Sequence, residues 1–181
     1  MRCLKPAARL LCCCLVFSSV AGAETLSAGI NSIKSAVIRG DSKTVFTRLA
    51  TTAIIDNEVN YAFNIMAKDA AKKTGVTEQE FLASLPTRLL MKTARATLAS
   101  YFNNEVARLL RAPAGLRRAA VNSFRINQTK EKNGRATLSA SYAVPGAAEN
   151  VAIGLAQNQR GDWLIVSLNS KNLRRAISGY L

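Results

Sequence analysis

The sequence predicts an α+β fold: N-terminal helices, one of them long, packed on a curved antiparallel sheet of about four strands. Three observations carry this. Up to Arg111 the apolar residues recur at three- and four-residue steps, which is helical spacing. Beyond Ala112-Pro113-Ala114-Gly115 they alternate instead. The pairs Asn133-Gly134, Pro145-Gly146 and Arg160-Gly161 then divide the alternating half into successive short strands.

In chain order, Thr25 to Ile38 carries Leu26, Ile30, Ile33 and Val37 on one stripe, and Gly40 suits the left-handed residue that ends a helix. Asp41 or Ser42 can cap a short second helix burying Val45, Phe46 and Leu49. A third helix, Asn57 to Lys73 with Asp56 as its cap, sets Val59, Ala62, Phe63, Met66 and Ala70 opposite Asn60, Asn64, Lys68 and Lys72. Gly75 stops it. Thr77 and Glu80 form a capping box, and Pro86 fits the first turn of the longest helix. That helix runs to Arg111, roughly 25 residues or about 37 Å.

Its apolar arc holds Leu90, Met91, Ala94, Leu98, Tyr101, Phe102 and Leu109, opposite Lys92, Ser100 and Asn103, with Arg95 on the flank. Glu105 and Arg108 fall on the arc too, three residues apart. That spacing suits an ion pair, either partly solvated at the helix end or at the rim of a cavity. The strands are expected at Val121 to Gln128, Ala136 to Tyr142, Asn150 to Asn158 and Trp163 to Leu168. A last short helix is expected from Lys171 to Ile177.

Residues 1–23 have the form of a cleaved export signal. Arg2, Lys5 and Arg9 precede the apolar stretch Leu10 to Val20, and Ala21-Gly22-Ala23 offers a small-x-small cleavage site before Glu24. The apolar stretch is shorter than the ~20 residues a spanning helix needs, so no transmembrane span is expected after cleavage. The expected location is the periplasm or the extracellular space. All four cysteines lie at positions 3, 12, 13 and 14, and the chain has no histidine. The processed domain, residues 24–181, therefore lacks thiol and imidazole and must be held by its apolar core rather than by disulfides.

Those absences narrow the chemistry. Ser-His-Asp and Cys-His arrangements are excluded, as are the usual zinc and transition-metal ligand sets. The eleven acidic residues are dispersed, without calcium-loop spacing, and no Gly-rich phosphate loop occurs. No metal, cofactor or catalytic residue is expected.

The succession of helices and strands closing on Gly161-Asp162-Trp163-Leu164-Ile165-Val166-Ser167-Leu168 resembles the cone-shaped fold of nuclear transport factor 2-like proteins, where a G-x-W-x-I last strand is common. The leader, the helices around Ile30 to Leu49 and the stretch Ile54-Ile55-Asp56 are similar to the exported bacterial domain of unknown function 2939. The resemblance implies a cavity between the sheet and the long helix, and it brings no established activity. Cone-fold enzymes that resemble ketosteroid isomerase use an acid and a tyrosine in that cavity. In this chain Asp56, Tyr61, Tyr101 and Glu105 would supply such groups.

Charge points to partners. Losing the leader lowers the formal charge from +14 to +11. Arg88, Lys92 and Arg95 form a stripe on the long helix. Arg108, Arg111, Arg117 and Arg118 gather where helices give way to strands, and Lys171, Arg174 and Arg175 lie near the C-terminus. Such a surface attracts polyanions: anionic lipid, lipopolysaccharide or a cell-wall polymer outside the cytoplasm. It also fits a basic surface with no dedicated ligand. Aromatic residues are only 6% of the chain and do not alternate with basic ones, which disfavours nucleic acid.

The expected function is a noncatalytic exported binding or accessory module for an apolar or anionic amphiphile. Phe63, Leu98, Tyr101, Phe102 and Trp163 would line its pocket, and Glu105 and Arg108 would stand at the rim. Each of the five apolar side chains fits ordinary core equally well. The alternatives are an envelope assembly factor binding a protein or wall partner, and a cavity enzyme using the Asp56 or Glu105 carboxylate as base.

Overall fold

The computed structural model describes residues 24–144 and 147–170. The leader, the Pro145-Gly146 connection and the expected C-terminal helix with Lys171, Arg174 and Arg175 lie outside them.

Helix α1 (Glu24–Arg39) presents Leu26, Ile30, Ile33 and Val37 inward, all 6% exposed or less. It closes at Gly40, whose φ of 74° lets the amides of Gly40 and Asp41 reach back to the carbonyls of Val37 and Ala36 at 3.1 and 2.9 Å. Asp41 caps α2 (Ser42–Thr47), accepting from the Thr44 amide at 3.1 Å and its hydroxyl at 2.7 Å. These hydrogen bonds, the hydroxyl's foremost, hold the Asp41 carboxyl below its usual pKa range.

Helix α3 (Thr51–Thr74) starts six residues before the expected Asn57. Its N-cap is Ala50, and Asp56 lies inside the helix, paired with Arg95 instead. The early start follows from tertiary contact. The backbone of Arg48, Leu49 and Ala50 docks along the edge of β4 (Trp163–Ser170): Ala50 N–H donates to Ile165 O at 3.0 Å and Ile165 N–H to Arg48 O at 2.9 Å. That anchorage places Thr51 where a helix begins without a side-chain cap. Gly75, with φ 74°, ends α3.

Helix α4 (Glu78–Ala83) carries the expected capping box, with Thr77 N–H on Glu80 Oε2 at 2.9 Å and Glu80 N–H on Thr77 Oγ1 at 3.2 Å. Helix α5 (Leu85–Leu110) follows, capped by Ser84 with Pro86 in its first turn. The segment read as loop leading into a strand is partly a sixth helix, α6 (Ala114–Asn122). Val121 is therefore a buried helical residue, and the first strand begins three residues later.

The strands β1 (Phe124–Lys132), β2 (Arg135–Val144), β3 (Ala147–Gln157) and β4 form one open antiparallel sheet in the order β1-β2-β3-β4. Asn133 and Gly134 turn the first hairpin with φ of 52° and 69°, the conformation an Asn-Gly turn favours. The inward face carries Leu138, Ala140, Tyr142, Val151, Ile153, Leu155, Trp163 and Ile165. In β4 the alternation breaks after Ile165. Gly154 pairs with Ser167 but Leu155 with Ile165, so Val166 is an extra residue and Leu168 turns inward. The Val166 carbonyl accepts from Asn57 Nδ2 of α3 at 3.1 Å. One apolar core joins α1, α2, α3, α5, α6 and the sheet.

Candidate functional site

Burial along α3 and α5 is uneven. It is densest in α3 up to Phe63 (Ile54, Ile55, Glu58, Val59, Phe63) and in α5 from Leu98 onward (Leu98, Phe102, Glu105, Val106, Leu109, Leu110), with Ala67, Thr87 and Ala94 the buried positions outside those stretches. Residues 64–74 of α3 and 85–97 of α5, with α4 and its connections between them, form a helical arm; α4 packs on α3 and α5 and buries none of its own residues fully. Among the described residues, the exposed large apolar side chains other than Tyr61 and Leu116 lie on this arm: Ile65, Met66, Val76, Leu85, Leu89 and Leu90.

The expected pocket residues lie outside the arm. Phe63, Leu98, Phe102 and Trp163 are 1–4% exposed and part of the packed core, and Tyr101 is half-buried. Glu105 and Arg108 form the ion pair their spacing suggested, at 2.7 Å, with the carboxylate side chain 11% and the guanidinium side chain 40% exposed. The Nε of Arg108 is buried without a hydrogen-bond partner. A hollow of about 500 Å³ lies elsewhere, at the tip of the β1–β2 hairpin, lined by Lys130, Glu131, Lys132, Asn133, Arg135 and Thr137. None of the expected pocket residues borders it.

The basic residues divide by task. Arg95 is turned onto α3, its Nε donating to Asp56 Oδ1 at 2.7 Å and its Nη2 to Asn60 Oδ1 at 2.9 Å. Arg117 is a clamp. Its Nε donates to Ile38 O at 3.0 Å, and its Nη1 donates to Leu110 O at 3.2 Å and to Ala112 O. One guanidinium thus satisfies carbonyls at the ends of α1 and α5, where helix dipoles favour a cation. Arg111 and Arg118 are exposed at the same junction. Arg88 and Lys92 are exposed on the arm, and neither makes an ion pair among the described residues. The structure therefore separates a stripe the sequence placed together: Arg95 braces two helices, while Arg88 and Lys92 face solvent.

Asp56 and Glu105 are each engaged by an arginine. Among the described residues no group of three or more acidic, Cys or His side chains is placed to hold a metal ion. No helix among them is long and apolar enough to cross a membrane.

Two features escaped the sequence analysis. The hairpin cations were visible as Lys130, Lys132 and Arg135 around Asn133-Gly134, but there they registered only as a turn. The exposure of Leu90, expected on the apolar arc, follows from what faces α3 at this level. Thr87 and Ala94 are buried there while Leu85, Leu89 and Leu90 stay out. Comparison with protein-family models, curated proteins and solved structures gave no match.

Proposed function

We propose that this protein is an exported binding or accessory module without a reaction of its own, and that it recognises its partner with the helical arm rather than with an internal pocket. The nuclear transport factor 2-like lineage belongs to the same proposal. The observation that carries it is the contrast between the packed core and the arm. Phe63, Leu98, Phe102 and Trp163 are buried in that core, and most of the exposed large apolar side chains collect on the arm. Large apolar surface gathered in one region of a monomer marks an interaction site more often than scattered single residues do.

Site-specific photo-crosslinking in intact cells tests this. A crosslinkable residue at Leu89 should give a defined adduct on polypeptide that begins at Glu24, whereas the same residue at Leu116 should not. An adduct found only on unprocessed cytoplasmic chain would contradict export. Labelling from Leu116 but not from Leu89 would contradict recognition by the arm.

A further inference from the structure

We propose that the outward face of the first two turns of α5 docks on an anionic phospholipid bilayer, an inference that rests on the arm being the recognition surface. Leu85 and Leu89 are 68% and 56% exposed and stand one helical turn apart. Arg88 and Lys92 follow at the intervening three- and four-residue steps, so the leucines and the cations share one face. No acidic residue lies in the first turn of α5 to offset them. Of the two carboxylates in the first turn of α4, Glu80 is turned into its capping box with Thr77, and Glu78 is exposed.

This is the composition of an interfacial helix surface, on which apolar side chains enter the headgroup–acyl boundary while long basic side chains keep their charge among the phosphates. The charge pattern selects the occupant. A second copy laid face to face would set Arg88 and Lys92 against the same cations of its twin. A phosphate-bearing surface neutralises both. The leucines also project from an exposed helix face, as a ridge that inserts into a fluid layer rather than a groove that receives a ligand.

The test is cosedimentation of the purified protein with vesicles of equal parts phosphatidylglycerol and phosphatidylcholine, against vesicles of phosphatidylcholine alone. Binding is expected to the first, weakened by salt, and little to the second. Replacing Leu85 and Leu89 together by serine should lower the partition coefficient at least tenfold. Arg88→Gln with Lys92→Gln should lower it by roughly fivefold for each cation removed. Leu116→Ser, an exposed leucine off the arm, should leave it unchanged. All five positions are exposed, so the variants should keep the wild-type circular dichroism. Absence of binding to the anionic vesicles, or binding equal in wild type and the double-serine variant, overturns the inference. A stoichiometric protein captured at Leu89 alongside such a negative result would leave the arm as the recognition surface and replace lipid with protein. Capture of nothing at Leu89 would remove both readings.

Discussion

Arg117 shows how much one side chain can hold. Its guanidinium reaches carbonyls of Ile38, Leu110 and Ala112, which belong to two helix ends separate in sequence. Gly40 leaves the space for this. A Cβ there would meet Leu110 O at 2.9 Å and the Arg117 Cζ at 3.2 Å. Hydrogen bonds to a charged donor contribute about 1.5–3 kcal/mol, and Arg117→Met also strands its acceptors, so a loss of about 2–3 kcal/mol is expected. For a domain of this size that lowers Tm by roughly 5–10 °C. Arg117→Lys should recover less than half, because one ammonium cannot span carbonyls that a planar fork reaches from two nitrogens. Thermal melts of the two variants measure both effects. A lysine variant as stable as wild type would reduce the clamp to a matter of charge.

Two capping carboxylates respond to acid. Glu80 is held below its usual range by the Thr77 amide and then the Thr77 hydroxyl, and Asp41 by the Thr44 hydroxyl and then the Thr44 amide. A depressed folded-state pKa means the cap is stabilising above the unfolded value and is lost as pH falls through the folded one. Caps on α2 and α4 should thus persist through neutral pH and release only below the ordinary carboxylate values of about 4. Amide chemical shifts of Thr44 and Thr77, followed from pH 7 into acid, report the release directly. With no histidine in the chain, no imidazole step should interrupt the curve near neutrality.

At the scale of elements, Gly29 of α1 lets the helix settle on Trp163. A Cβ there would stand 3.0 Å from the Trp163 Cβ and 3.1 Å from its Cδ1. Trp163 is 1% exposed and has no room to retreat. Overpacking costs about 1–3 kcal/mol, while alanine gains about 1 kcal/mol of helix propensity over glycine. Gly29→Ala should therefore destabilise by about 1 kcal/mol. Gly115→Ala at the start of α6, with nothing within 4 Å, should stabilise by roughly 0.5–1 kcal/mol. Denaturant titration of the pair separates packing from propensity, and equal signs for both would defeat the argument.

The elements also show where sequence patterns stop being informative. Capping chemistry is local, so Gly40, Gly75, the Thr77–Glu80 box and the Asn133-Gly134 turn were legible. The start of α3 was not, because the backbone pairing of Arg48 to Ala50 with β4 sets it from more than a hundred residues away. Helix α6 was missed because its apolar residues are few and Pro113-Ala114-Gly115 resembles a loop. The Val166 bulge was invisible for a related reason: alternation alone would have turned Ser167 inward, and the structure buries Leu168.

At the scale of the molecule, composition fixed the class and left the site open. Helical spacing followed by alternation sufficed for helices on a four-stranded antiparallel sheet. The residues chosen as pocket lining were the largest apolar side chains of the long helices and last strand, and those are also the side chains that a close-packed interior takes first. What distinguishes an exposed leucine from a core leucine is the surface left uncovered by tertiary packing, as at Leu85 and Leu89. Basic residues behaved alike: Arg95 and Arg117 serve the fold, Arg88 and Lys92 face outward, and spacing along the chain did not separate them.

Trp163 is the sole tryptophan and sits buried against Gly29 of α1, outside the arm. Its emission should be that of an indole in a dry, apolar setting, blue-shifted and shielded from iodide. Unfolding would redden it, whereas contact made at Leu89 would leave it silent. The protein thus carries an optical gauge of its own integrity, and a probe attached at the arm would report encounters on a second, independent channel.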